Sequence, residues 1–250
     1  MEATVITVLL VLSTIFVGSV MKGAIGIGLP LLATPVLSMY LGVPAAVSIV
    51  SIPIVATNFG QVVKFRRELP RQRYLAPFLA AGAVGVVVGT VVLVNAPVAL
   101  LEIGLGGAVL TYLAIQTFLP PLVIPDRLSR TLGGPVGFLT GLLQGAVGIS
   151  SVVSITFLQA LKLERPAFVG SISAMFLMFS AIQIVALMVE GTMTLERAGL
   201  GILSLLAAAV GMAVGDRFAS RMTVTIFRRA IFAMLAFLAA MLVANGITLL

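Results

Sequence analysis

Residues 22–30 read "KGAIGIGLP", and residues 144–152 read "QGAVGISSV". Each phrase sets glycines a few positions apart in hydrophobic surroundings, with Pro30 closing the first and Ser150 and Ser151 the second. Glycine weakens a helix and proline removes a backbone donor, so both phrases predict an interrupted helix. The flanking sequence says which solvent the interruption faces. Of 250 residues, 60% are hydrophobic and 9% charged, with a mean hydropathy of +1.24. That is too little charge to cover a soluble domain of this length. Apolar runs of about 18–25 residues recur along the chain, the length that crosses roughly 30 Å of hydrocarbon as helix.

The expected fold class is an all-α integral membrane protein. It has about ten transmembrane segments, eight full crossings plus two short or broken ones, in two inverted repeats. The candidate crossings are 4–21, 23–41, 43–63, 74–94, 97–119, 132–147, 147–161, 166–189, 195–215 and 223–249. The short ones are 23–41 and 147–161. Basic residues fall in alternate gaps: Lys22; then Lys64, Arg66, Arg67, Arg71 and Arg73; then Arg127 and Arg130; then Lys162 and Arg165. The last such cluster is Arg217, Arg221, Arg228 and Arg229, and of the 15 cations Arg197 alone falls on the other side. The positive-inside rule makes the basic side cytoplasmic and puts both termini outside a cell inner membrane. The net charge of +7 is thus an orientation signal, and no nucleic acid is expected.

Shifting the chain by 122 residues aligns "FVGSVMKGAIGIG" with "FLTGLLQGAVGIS". Leu41 then meets Leu163, Pro44 meets Pro166, Ser51 meets Ser173 and Gln61 meets Gln183. After a four-residue slip, Gly85 and Gly89 meet Gly211 and Gly215. The expected organisation is a first repeat over 1–119, a linker over 120–131 containing the proline-rich "LPPLVIP", and a second repeat over 132–250. Five crossings per repeat is odd, so the second copy is upside down, as in many secondary transporters. Residues 4–21 resemble a signal core, but their partner lies mid-chain, which assigns them to the fold.

In lipid, broken helix survives only where it is shielded or lines a wet cavity. The half-helix after a break presents free N–H groups and a positive dipole end, which suits an anion. Gly23, Gly26 and Gly28, with Gly145, Gly148, Ser150 and Ser151, are therefore candidate substrate-binding positions. The competing reading is close helix packing, for which glycines four apart also serve. Ser51, Asn58 and Gln61 share about 80° of one helix face. Ser173, Ser180 and Gln183 repeat that spacing in the second half. These hydroxyl and amide groups donate to an oxyanion while staying neutral, or else bond between helices.

Lys22 precedes the first turn; it either attracts an anion or, as the preferred reading, snorkels to the interface. Glu102 is the one acid expected within a span, a proton-relay candidate shallow enough to reach the outer interface. Arg228 and Arg229 read as interfacial anchors. With no cysteine, histidine or tryptophan, Cys/His metal sites, thiol nucleophiles and Ser-His-Asp chemistry are excluded. No enzyme activity, cofactor or metal is expected, and no Walker motif is present for nucleotide-driven work.

Beyond these readings, the chain resembles the TauE/SafE family of membrane proteins, described as sulfite and organosulfonate exporters. The resemblance is carried by "KGAIGIGLPLLATPVL", "LGVPAAVSIVSIPIVATNFGQVVKF", "QGAVGISSVVSITFLQALKLERPAFVGSISAMF" and "VGDRFASRMTVTIFRRAIFAMLAFLAAMLV". The family's turns hold a denser glycine cluster; here Ile27 interrupts the first, and Ser150 with Ser151 replaces glycine in the second. The resemblance implies a secondary transporter of sulfite or an organosulfonate, working by alternating access between the repeats. The alternatives are an anion channel of the same architecture and a transporter for a different small anion. The expected partners are a small anionic substrate and the lipid bilayer, and such a bundle is compatible with a homo-oligomer.

The charge pattern generates a topology test. Single cysteines at Gln72 and Thr192, on a background without native cysteine, should differ in intact cells. An impermeant maleimide is expected to label position 192 and spare position 72; the reverse would overturn the orientation.

Overall fold

The computed structural model describes residues 2–26, 28–69, 72–119, 122–218 and 224–250. Arg71, Pro120, Pro121 and Arg221 lie outside the described residues, as do the side chains of Arg228 and Arg229. The first five helices are α1 (Glu2–Ile25), α2 (Leu29–Leu41), α3 (Val43–Phe65), α4 (Leu75–Asn95) and α5 (Val98–Phe118). The second five are α6 (Asp126–Val147), α7 (Ser151–Ala160), α8 (Arg165–Val189), α9 (Leu195–Phe218) and α10 (Val224–Thr248). Among the described residues, seven helices are long and apolar enough to cross a membrane. This is an all-helical, multi-pass membrane protein.

The two short segments are shorter than the sequence suggested. With 13 residues in α2 and 10 in α7, they span about 20 Å and 15 Å, less than the hydrocarbon thickness. The reason is local: α1 and α6 run on through the lysine and glutamine that open the two glycine phrases, and the breaks come at Gly26 and Gly148. A Cβ on Gly18 would lie 3.2 Å from the Leu29 carbonyl oxygen, and one on Gly28 2.9 Å from Met21 Cβ, so α2 folds back along α1. The stretch expected as a linker, 120–131, is helical from Asp126.

Helix directions can be read from where glycines meet backbone. A Cβ added to Gly137, Gly141 or Gly145 of α6 would strike the carbonyl oxygen of Phe78, Gly82 or Val86 of α4. Four-residue steps advance together on both helices, so α4 and α6 run parallel with their backbones touching. Gly211 and Gly215 of α9 meet the carbonyls of Phe16 and Val20 of α1 in the same way, so α1 and α9 are also parallel. Gly106 meets Ala239, while Gly246 meets Ala99, which makes α5 and α10 antiparallel. The pairing of α6 with α4 is thus the pairing of α1 with α9, five elements along. The remaining large contact joins α3 to α8. Without a hydrophobic drive between helices in lipid, association depends on close van der Waals packing, which small residues permit.

The aromatic part of the core ties α4 to α7 and α8. Phe78 stacks on Phe157 at 5.7 Å and on Phe179 at 6.0 Å between ring centroids. Tyr74 meets Phe157 edge-on, and its hydroxyl donates to Ser171 Oγ at 2.8 Å.

The glycine rows generate a packing test. Gly141→Ala should cost about 1–3 kcal/mol, because its methyl must displace the Gly82 backbone and no flexible side chain can yield. Gly107, in α5, has no atom within 4 Å of its Cβ position. Gly107→Ala should leave folded yield in fluorescence-detected size exclusion unchanged or raised, while Gly141→Ala lowers it. Equal yields would remove the rows as the device that holds α4 to α6.

Candidate functional site

The two breaks are built alike. The Gly26 N–H donates to the Lys22 carbonyl at 2.7 Å, and the Gly148 N–H to the Gln144 carbonyl at 2.9 Å, closing the last turn of α1 and α6. Gly26 has φ +83 and Gly148 φ +71, the left-handed conformation in which side chains are strained. Neither following half-helix has a side-chain cap. Ser150, at the N-cap of α7, donates its hydroxyl to Gln144 Oε1 at 2.8 Å instead. The first-turn N–H groups of α7 therefore lack a capping side chain, and the dipole there favours negative charge.

Around the second break, Gln183 of α8 is fully buried. Its Nε2 donates to the carbonyls of Gln144 (2.8 Å) and Gly145 (3.1 Å), and its Oε1 accepts from Gln144 Nε2 at 2.8 Å. That network, with Ser150, fixes the end of α6. Gln61 is half-buried and accepts from Ser173 Oγ at 2.9 Å. The Gln pair therefore splits into one amide committed to backbone carbonyls and one held only by its oxygen. Ser51 donates to Val47 O and Asn58 to Ile54 O, both at 2.7 Å and both within α3. Gly23 packs against Met212 and Asp216 of α9, and Gly145 against Val86 and Thr90 of α4, as in the packing reading of these glycines.

Three buried hydroxyl oxygens on the elements that meet at this break have no hydrogen-bond partner among the described residues: Thr34, Ser151 and Ser180. Buried polar groups in native structures are nearly always paired, so unpaired ones mark where a ligand or water completes them. Thr34 reaches the break directly. A Cβ on Gly148 would lie 3.3 Å from Thr34 Cγ2 and 2.7 Å from Val47 Cγ2. At Gly26 the same position has nothing within 4 Å. Among the described residues, the second turn is covered and the first is open.

Lys22 corrects an expectation. It does not snorkel: it is 3% exposed, inside the last turn of α1. Its single hydrogen bond among the described residues runs from Nζ to Thr57 Oγ1 at 3.0 Å. An ammonium group buried with a hydroxyl and no carboxylate lacks a counter-charge, an arrangement costly in a membrane interior. Glu102 also departs from expectation. It is 5% exposed and accepts from Asn245 Nδ2 of α10 at 2.6 Å, so it is held between α5 and α10.

Thr34, Thr57, Gln144 and Asn245 were not singled out in the sequence. Gln144 was legible as the position equivalent to Lys22; the other three became visible only through their partners in space.

A sequence model of the sulfite exporter TauE/SafE family matches residues 10–242. The chain belongs to this family. It is therefore a membrane transport protein of the anion-exporter type, and the match spans both breaks. No curated protein and no solved structure matches the chain.

The two glutamines generate a test that separates folding from binding. Gln183→Glu removes the donor to two buried carbonyls; Gln144 O keeps the Gly148 N–H, so the cost is about 1–3 kcal/mol for Gly145 O. Gln61→Glu keeps an acceptor for Ser173. Folded yield should fall for Gln183→Glu and hold for Gln61→Glu; the opposite order would sink the division of roles.

Proposed function

We propose that this protein is a secondary transporter that carries sulfite or an organosulfonate out of the cell across the inner membrane. The anion sits between the two helix breaks of a pair of inverted repeats, 1–119 and 132–250, joined by the 120–131 segment, with both termini outside. The observation that carries this reading is the buried ammonium of Lys22 without a counter-charge among the described residues. A small oxyanion supplies that charge. The unpaired hydroxyls of Thr34, Ser151 and Ser180 and the uncapped start of α7 supply neutral donors for its oxygens. Gln61 adds an amide from α3. The anchoring role of Gly26 and Gly148 is backbone conformation, which keeps the chain turned where N–H groups can face the ligand.

The unequal packing of the two turns supports alternation over a permanently open channel. Thr34 and Val47 cover the turn at Gly148 while the turn at Gly26 stays clear. By the sequence correspondence, the opposite state brings Thr156 and Val169 over Gly26. With the basic ends of the bundle read as cytoplasmic, the open turn faces the cytoplasm, as loading for export requires.

The test is counterflow in proteoliposomes with labelled sulfite, taurine and sulfate in parallel. Lys22→Met should weaken the transported anion by about ten- to hundredfold, the equivalent of a hydrogen bond to a charged group worth roughly 1.5–3 kcal/mol. Lys22→Arg keeps the charge and should retain part of the affinity. Unchanged affinity in folded Lys22→Met would remove Lys22 from the site.

A further inference from the structure

A second basic site lies away from the two breaks. A cavity of about 440 Å³ opens where the starts of α4 and α6 meet the end of α7. Arg73, just before α4, and Arg127, in the first turn of α6, both line it, together with Gln72, Tyr74 and Ser129. Both arginines are exposed, and neither has a hydrogen bond or ion pair among the described residues. No carboxylate is among the described residues that line the cavity. Burial pushes the Tyr74 phenol up to about 12, so that wall stays uncharged. Two unpaired guanidinium groups converging on one concavity form a fork-like donor set suited to phosphate oxygens.

The surroundings identify which phosphate. Leu161 and Leu163, at the end of α7, form the aliphatic side of the basic cavity. One turn along α7 a second cavity, about 370 Å³, is lined by Gln159, Gln116, Thr156 and Leu119. It shares Ile115 and Thr156 with a third, of about 530 Å³, whose walls are Leu139, Leu143, Val152, Val153 and Phe157 among others. The order along α7 is thus cationic, mixed, then apolar. A phospholipid has the same order, from anionic headgroup through ester region to acyl chain. Basic pockets between helix ends at the cytoplasmic surface are where anionic lipid headgroups bind.

We propose that Arg73 and Arg127 hold the phosphate of an anionic phospholipid whose acyl chain lies along α7 between α5 and α6. The bound lipid clamps the start of α6 to the start of α4, since each contributes one arginine. The proposal does not depend on which anion the protein carries.

The experiment uses the full chain, purified in detergent, stripped of lipid and followed by thermal unfolding. Added phosphatidylglycerol should raise the midpoint by several degrees, and phosphatidylcholine should not. The variant Arg73→Gln/Arg127→Gln should need at least tenfold more phosphatidylglycerol for the same shift. Arg66→Gln/Arg67→Gln, which removes two exposed charges outside the cavity, should respond like the unaltered protein. Equal responses to the two lipids, or equal losses in the two double variants, would overturn the site. Stabilisation by inorganic phosphate alone to the same extent would overturn the lipid and leave a free-oxyanion site. Should the cavity variant fail to fold, the comparison of the two lipids and phosphate on the unaltered protein decides the matter by itself.

Discussion

Backbone-to-backbone contact along two glycine rows is the constraint on which the rest of this structure depends. In lipid an apolar side chain gains little by leaving acyl chains for another helix, so only shape-matched contact holds a bundle together. Gly137, Gly141 and Gly145 bring α6 onto α4, and Gly211 and Gly215 bring α9 onto α1. Both contacts join the two halves of the chain. They leave no room for even one methyl group, so they also fix the register of α6 on α4 and of α9 on α1.

That register explains how polar groups are tolerated at depth. The break after α6 carries carbonyls that would be stranded in hydrocarbon. Gln183 reaches two of them from α8, and Gln144 and Ser150 close the network behind. The first break has no matching glutamine network; its place is held by Lys22 and Thr57. The end carbonyls of α6 are therefore bonded within the protein, while at the first break Lys22 has one hydroxyl partner among the described residues. The pair is similar in backbone and different in chemistry, which suits a protein whose two faces have different tasks.

Polar groups elsewhere follow the same accounting. Glu102 is buried but bonded to Asn245 between α5 and α10, which gives it a structural partner. Arg73 and Arg127 stay at the surface, where water or a lipid headgroup meets their charge. The hydroxyls of Ser19, Thr34, Ser151 and Ser180 stand apart because nothing among the described residues completes them.

The sequence by itself determined the solvent, the helices and the family resemblance. Hydropathy over about 20 residues is a local property, so most expected spans lie within a few residues of the observed helices. The glycine phrases marked both breaks, because a positive φ at Gly26 and Gly148 is also a local demand. What tertiary structure decided was the employment of each side chain. The same residue type, glycine, packs α6 on α4 at position 145 and turns the chain at position 148, three residues later. Likewise Gln61 and Gln183 occupy equivalent positions, yet only Gln183 meets carbonyls released by a helix end. Lys22 looked interfacial because it adjoined a presumed loop; α1 instead continues past it and carries it inside. A side chain's role depends on which neighbour approaches from another helix, and no periodicity along one chain encodes that distance.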